Sequence, residues 1–347
     1  MQPAVFALAL LAWVGAPATY PEALARDQIR IVGSSTVYPF STVVAENFGR
    51  GGKFKTPVVE STGTGGGLKL FCGGLGEGHP DMANASRRIK ESEVAECAKN
   101  GITEITEVKI GFDGIVIANA KGAHLFDISL HDLFLALAKD VPQEGKMVPN
   151  KAKSWKEINP ALPDQPIRVY GPPPTSGTRD AFAELAMEGG CKSFPEIAAL
   201  AKSDEKRFKA TCHGIREDGA YIEAGENDNM IVQKLGTDKN ALGVFGFSFL
   251  DQNRDKVQPS RVNGKEATFD NILGGQYPVS RSLYFYVKSQ HAKLVPGIVE
   301  YLREFTAEKA WGEDGYLADR GLIPMTPEER KKVAAEVVKL TPMSLSK

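Results

Sequence analysis

Apolar residues along this chain of 347 residues fall into short runs, each followed by a turn and then by a segment with helical spacing. Residues 29–32 form a β-branched run that predicts a strand. Gly33-Ser34-Ser35-Thr36 follows as a turn, and Phe40, Val43, Val44 and Phe48 then recur on one face of a helix. The same order repeats three more times. Residues 57–60 predict a second strand, 61–67 a Gly-rich loop, and a helix is expected to open at Leu68. Residues 81–85 predict a third strand before a turn at Ser86-Arg87 and a charged helix over 91–99. Residues 167–170 predict a fourth, which runs through a Pro-rich turn at 171–178 into a helix over 179–187. This alternation predicts an α/β fold with largely parallel sheets. Two amphipathic stretches, 134–138 and 328–340, read as core-facing helices.

In open α/β sheets ligands collect at the carboxyl ends of strands, where helices begin. Four Ser/Thr/Gly-rich loops of this chain fall at such ends. Each presents unpaired backbone N–H groups and the positive end of a helix dipole. The first offers Ser35, Thr36 and Val37, and the second Thr64 within Gly63-Thr64-Gly65-Gly66-Gly67. The third offers Ser86 and Arg87, and the fourth Ser176, Gly177, Thr178 and Arg179. A single loop of this kind reads equally well as a helix cap. Four of them point to a shared oxyanion site. The Gly-rich loop is not a P-loop, because no Gly-Lys-Ser/Thr closes it. Arg87 and Arg179 can each reach two oxygens with a planar fork. A site made only of donors accepts sulfate as well as phosphate, whereas a carboxylate accepts the phosphate proton and repels sulfate. Asp113, in Ile110-Gly111-Phe112-Asp113-Gly114-Ile115, is the candidate: an acid that interrupts an apolar strand.

Composition makes any such recognition local. Lys and Arg number 42 against 43 Asp and Glu, and hydrophobic residues make up 42%. That is a globular balance, without the basic face of a nucleic-acid binder, and no nucleic-acid partner is expected. The length suits two lobes. Residues 4–14 form an uncharged apolar run ahead of Ala23-Leu24-Ala25, a small-x-small cleavage pattern, so residues 1–25 read as an export signal despite lacking Lys or Arg before the run. The run is shorter than the ~20 residues that cross a bilayer. Four cysteines form two local pairs, Cys72 with Cys97 and Cys191 with Cys212, which suits two disulfides in an oxidising compartment, although three connectivities exist. The five histidines are scattered without ligand spacing, so no metal and no cofactor is expected. A secreted phosphatase would need a nucleophile paired with a base, or a metal pair. Neither is legible, and no enzymatic activity is expected.

Five segments, in order along the mature chain, resemble the substrate-binding proteins of phosphate ABC transporters. They are Ile31-Val32-Gly33-Ser34-Ser35-Thr36-Val37-Tyr38-Pro39-Phe40, Gly63 to Lys69, Ala85-Ser86-Arg87-Arg88-Ile89, Ser176-Gly177-Thr178-Arg179-Asp180-Ala181-Phe182 and Tyr277-Pro278-Val279-Ser280-Arg281-Ser282-Leu283-Tyr284. The resemblance implies a two-lobed type II periplasmic-binding fold with two hinge crossover strands, near 108–118 and 276–283. Lobe one would take 26–112 plus 277–347, and lobe two 113–276. It also implies a periplasmic monomer that captures inorganic phosphate and delivers it to membrane permease subunits of an ABC importer. The alternative with the same fold is a binding protein for another oxyanion: sulfate, molybdate, tungstate or a phosphate ester. Phosphate contacts are implied for Thr36, Val37, Thr64, the residue after Ser86, Ser176, Gly177 and Thr178. Two departures stand out. Where some members carry Asp after the third-loop Ser, this chain has Arg87; where some carry Arg and Asp before Ser-Gly-Thr, it has Pro172 and Pro174. The proton-acceptor role then passes to Asp113, and the arginine role to Arg87 and Arg179.

Overall fold

The computed structural model describes residues 26–225 and 227–343, so the expected export signal at 1–25 lies outside the described residues. The first strands are β1 (Arg30–Gly33), β2 (Val58–Ser61) and β3 (Met82–Ala85), and β1 pairs in parallel with both others. Helices α1 (Tyr38–Arg50) and α2 (Thr64–Phe71) make the crossovers, and α3 (Glu91–Lys99) follows β3. Pro39 opens α1, where its missing N–H costs nothing, and Phe40, Val44 and Ala45 are buried against the core.

β4 (Ile105–Ala120) runs for 16 residues. Beyond it come β5 (Val169–Gly171), β6 (Tyr221–Glu223), β7 (Leu242–Gly246), β8 (Val257–Pro259) and the returning β9 (Ser280–Lys288). All nine form one sheet in the order β2-β1-β3-β9-β4-β7-β5-β6, with β8 also on β4. The ends of this sheet are parallel, as the alternating pattern predicts. Its middle is not: β9 lies antiparallel to β3 and β4, and β7 antiparallel to β4. The chain leaves one half of the sheet on β4 and comes back on β9, and neighbouring strands that run out and back must be antiparallel. Strand β4 is shared, its first half paired with β9 and its second half held between β7 and β8.

Two segments differ from the sequence pattern. The break expected around Asp113 is a bulge in a continuous strand. Leu283 pairs with Gly111 and Tyr284 with Lys109, which leaves Ile110 as the extra residue. Gly111 has φ +148°, and a Cβ there would lie 2.6 Å from the Ile323 carbonyl oxygen. Phe112 and Ile323 exchange backbone hydrogen bonds at that point, of 2.8 and 3.0 Å. Helix α2 begins at Thr64, not Leu68, so the glycines form its first turn. A Cβ on Gly67 would lie 2.3 Å from Gly33 Cα. The absence of side chains is what lets α2 rest directly on the end of β1.

The main core runs under both halves of the sheet, and a smaller cluster lies on the opposite face of the first half. Alternation along β9 builds both, with Leu283, Phe285 and Val287 in the first and Tyr286 in the second. Both expected disulfides are present. Cys72–Cys97 joins the ends of α2 and α3, and Cys191–Cys212 joins two helices of the other half. The expected amphipathic helices are Leu130–Leu137 and Pro327–Val337.

Candidate functional site

The loop after β1 is held by Ser34, whose N–H donates to Asn84 O at 3.0 Å and whose carbonyl accepts from Tyr38 N–H at 2.9 Å. Thr36 and Val37 are buried at the start of α1. The fourth loop lies directly against it. Helix α4 (Gly177–Phe182) is capped by Ser176, whose hydroxyl accepts from Thr178 N–H at 3.2 Å. It continues without a break through a π-turn, Ala183–Met187, to Cys191. A Cβ on Gly177 would sit 3.3 Å from Ser35 O and 3.5 Å from Thr36 Cα, so the two loops are in contact. Ser35 Oγ also donates to Asp180 Oδ2 at 2.7 Å.

The second and third loops form another contact. Ser86 N–H donates to Thr64 Oγ1 at 3.0 Å, and the two hydroxyls share a hydrogen bond of 2.9 Å. The first α-helical backbone bond of α2 runs from Gly67 N–H to Gly63 O, which leaves the N–H groups of 64–66 pointing beyond the helix end. A cavity of about 570 Å³ opens here. Thr64, Gly65, Ser86 and Arg87 line one wall, and Glu184 and Arg281 stand among the residues that complete it.

Arg281, to which the sequence pattern gives no role, joins Asp113, Thr36 and Glu184. It is the cross-strand partner of Asp113 in the β4–β9 ladder. Its Nη2 donates to Thr36 Oγ1 at 2.9 Å and its Nη1 to the Glu184 carboxylate. Its Nε lies 3.5 Å from Asp113 Oδ2, and neither atom makes a hydrogen bond among the described residues. Burial pushes the Asp113 carboxyl above its ordinary range, against the pull of Arg281, and the nearby Glu184 charge adds to the rise. The only sequence trace of Arg281 was its place in the matched stretch 277–284. Its pairing with Asp113, 168 positions away, depends on strand register.

The other two arginines have protein partners. Arg87 forks onto Glu93 at 2.9 and 2.8 Å, although it still borders the cavity. The Arg179 guanidinium stacks 4.3 Å from the Tyr221 ring centre, and its Nη1 donates to Pro172 O at 3.2 Å. Arg179 thus braces the fourth loop from behind. Among the described residues no cluster of His, Cys, Asp and Glu could hold a metal ion, and no helix is long and apolar enough to cross a membrane.

Two halves of one sheet, strand-end loops in contact across them, and beside these a cavity walled by the second and third loops on one side and by residues 184–209 on the other are the features of a solute-binding protein. A family model described as a PBP superfamily domain matches residues 18–309. Protein SphX of Synechococcus elongatus is 35% identical over 267 residues, covering 75% of this chain and 68% of SphX. Phosphate-binding protein PstS of Staphylococcus saprophyticus is 31% identical over 282 residues, 80% of this chain and 75% of PstS. The crystal structure of a possible phosphate binding protein from Planctomyces limnophilus matches with a TM-score of 0.71 at 27% identity, covering 90% and 97% of the two chains. The chain belongs to the PBP superfamily and, within it, to the family of phosphate ABC transporter substrate-binding proteins.

Proposed function

We propose that this chain captures inorganic phosphate in the cleft between its two lobes and hands it to the permease subunits of an ABC importer. Lobe one comprises 26–112 plus 277–347 and lobe two 113–276, with β4 and β9 as the hinge strands. The protein acts as a periplasmic monomer after loss of 1–25. One observation carries the reading: the loop Ser35-Thr36-Val37 meets Ser176-Gly177-Thr178 across the cleft while Arg281 reaches Thr36. Backbone N–H groups and hydroxyls of these residues, with Thr64 and Ser86, supply the donors. Arg281 supplies the positive charge nearest them and Arg87 a second at the rim, while Arg179 shapes the loop. A handful of charged hydrogen bonds, each about 1.5–3 kcal/mol, is enough for micromolar binding. Closure follows ligand because only the closed form satisfies it from both sides.

Asp113 takes the phosphate proton. Its place beside Arg281 supports that role, and a fully ionised sulfate would meet a carboxylate with nothing to donate to it. Calorimetric titration with phosphate and with sulfate from about pH 5 to 8.5 tests the reading. Phosphate is expected to bind at micromolar concentration or below and sulfate far more weakly. Equal affinities would remove Asp113 from the role, and no phosphate binding at all would remove the function.

A further inference from the structure

All three nitrogens of Arg281 face protein oxygens, and they face them very differently. Thr36 is buried in a loop pinned to Asn84 through Ser34, and Asp113 is fixed in the middle of a strand. Both are carried by backbone that is itself tied down close to Arg281. Glu184 is another matter. It projects from the π-turn of the helix 177–191, its side chain keeps 42% of its surface exposed, and it borders the cavity. Its charge acts on Arg87 and on Asp113 as well as on Arg281, which places it among the charged groups of the site. A carboxylate and a phosphate offer a guanidinium the same thing, paired anionic oxygens.

We infer that Glu184 is a resident competitor: it occupies on Arg281 the position that a ligand oxygen takes, and the incoming anion displaces it. The inference rests on the phosphate reading above and adds a determinant of affinity and selectivity to it. Of the three partners of Arg281, Glu184 is the one that can be displaced. An anion must then outbid a carboxylate already in place. One that touches only Arg281 gains little from the exchange, whereas one that also engages the strand-end donors of both loops more than replaces what it removes. The displaced carboxylate has room to move into solvent, as its exposure requires.

Calorimetry with inorganic phosphate on the full mature chain tests this, comparing wild type with Glu184→Gln and Glu184→Ala at low salt. Both variants are expected to bind phosphate about three- to tenfold more tightly, because the ion pair they remove is partly exposed. The gain should shrink in high salt, where Glu184 is screened. A crystal structure with phosphate should show Glu184 off Arg281. Unchanged affinity in both variants would make the pair a bystander, and tenfold weaker binding would make Glu184 a direct ligand contact. Either result overturns the inference while leaving phosphate capture intact. A wild-type protein that binds no phosphate overturns both.

Discussion

At the residue scale the site turns on one cross-strand pair. Arg281 and Asp113 stand opposite each other in β9 and β4, with side-chain exposures of 11% and 15%. Removing the arginine alone strands a buried carboxylate. Arg281→Met is therefore expected to abolish phosphate binding and to cost about 3 kcal/mol of stability by urea unfolding. Adding Asp113→Asn should recover much of that stability without restoring binding, because the orphaned charge is gone. The carboxyl also carries a pH signature. Burial raises its folded-state pKa above the ordinary 3.8, so its contribution to stability is complete below that value and is lost as pH rises through the raised one. In the absence of phosphate, Asp113→Asn should gain on wild type in unfolding free energy as pH climbs from about 3 to 7. A flat difference would mean that the carboxyl feels no such burial. The acid itself was legible as a polar residue inside an apolar strand. Its partner was not, because a lone Arg in a strand has no periodic signal.

At the scale of elements the four loops were legible because strand, turn and helix each have their own residue chemistry. The β-branched runs, the Ser/Thr/Gly turns and the periodic apolar positions all fall close to the observed strands and helices. What the pattern could not tell was whether the glycines after Gly63 form a loop or the first turn of α2. Glycine permits both, and the contact of Gly67 with Gly33 decides it. Gly67→Ala should force α2 away from β1, at about 1–3 kcal/mol of stability. Phosphate affinity should fall with it, since Thr64 and Ser86 move apart. Affinity unchanged beside lowered stability would separate α2 from the ligand. The arginine assignments made from sequence show the same limit: a guanidinium near a loop has several possible partners, and Glu93 and Tyr221 claim two of them.

At the scale of the molecule, one nine-stranded sheet joins both halves through β4 and β9. Such continuity predicts a single cooperative unfolding transition, which calorimetry on the phosphate-free protein checks; two resolved transitions would mean that the halves melt independently. Phosphate at a hundred times its dissociation constant should add about 2.7 kcal/mol to that transition. The chain's local pattern was enough for the α/β class, the four strand–turn–helix units and their donor-rich strand ends, because these depend on neighbours close along the chain; the cysteine pairing it left as a preference. Folding in three dimensions settled which loops touch and that the middle of the sheet is antiparallel. It alone set Arg281 against Asp113, Thr36 and Glu184. Those outcomes depend on strand register and on contacts between residues from 22 to 245 positions apart, and no local pattern encodes them.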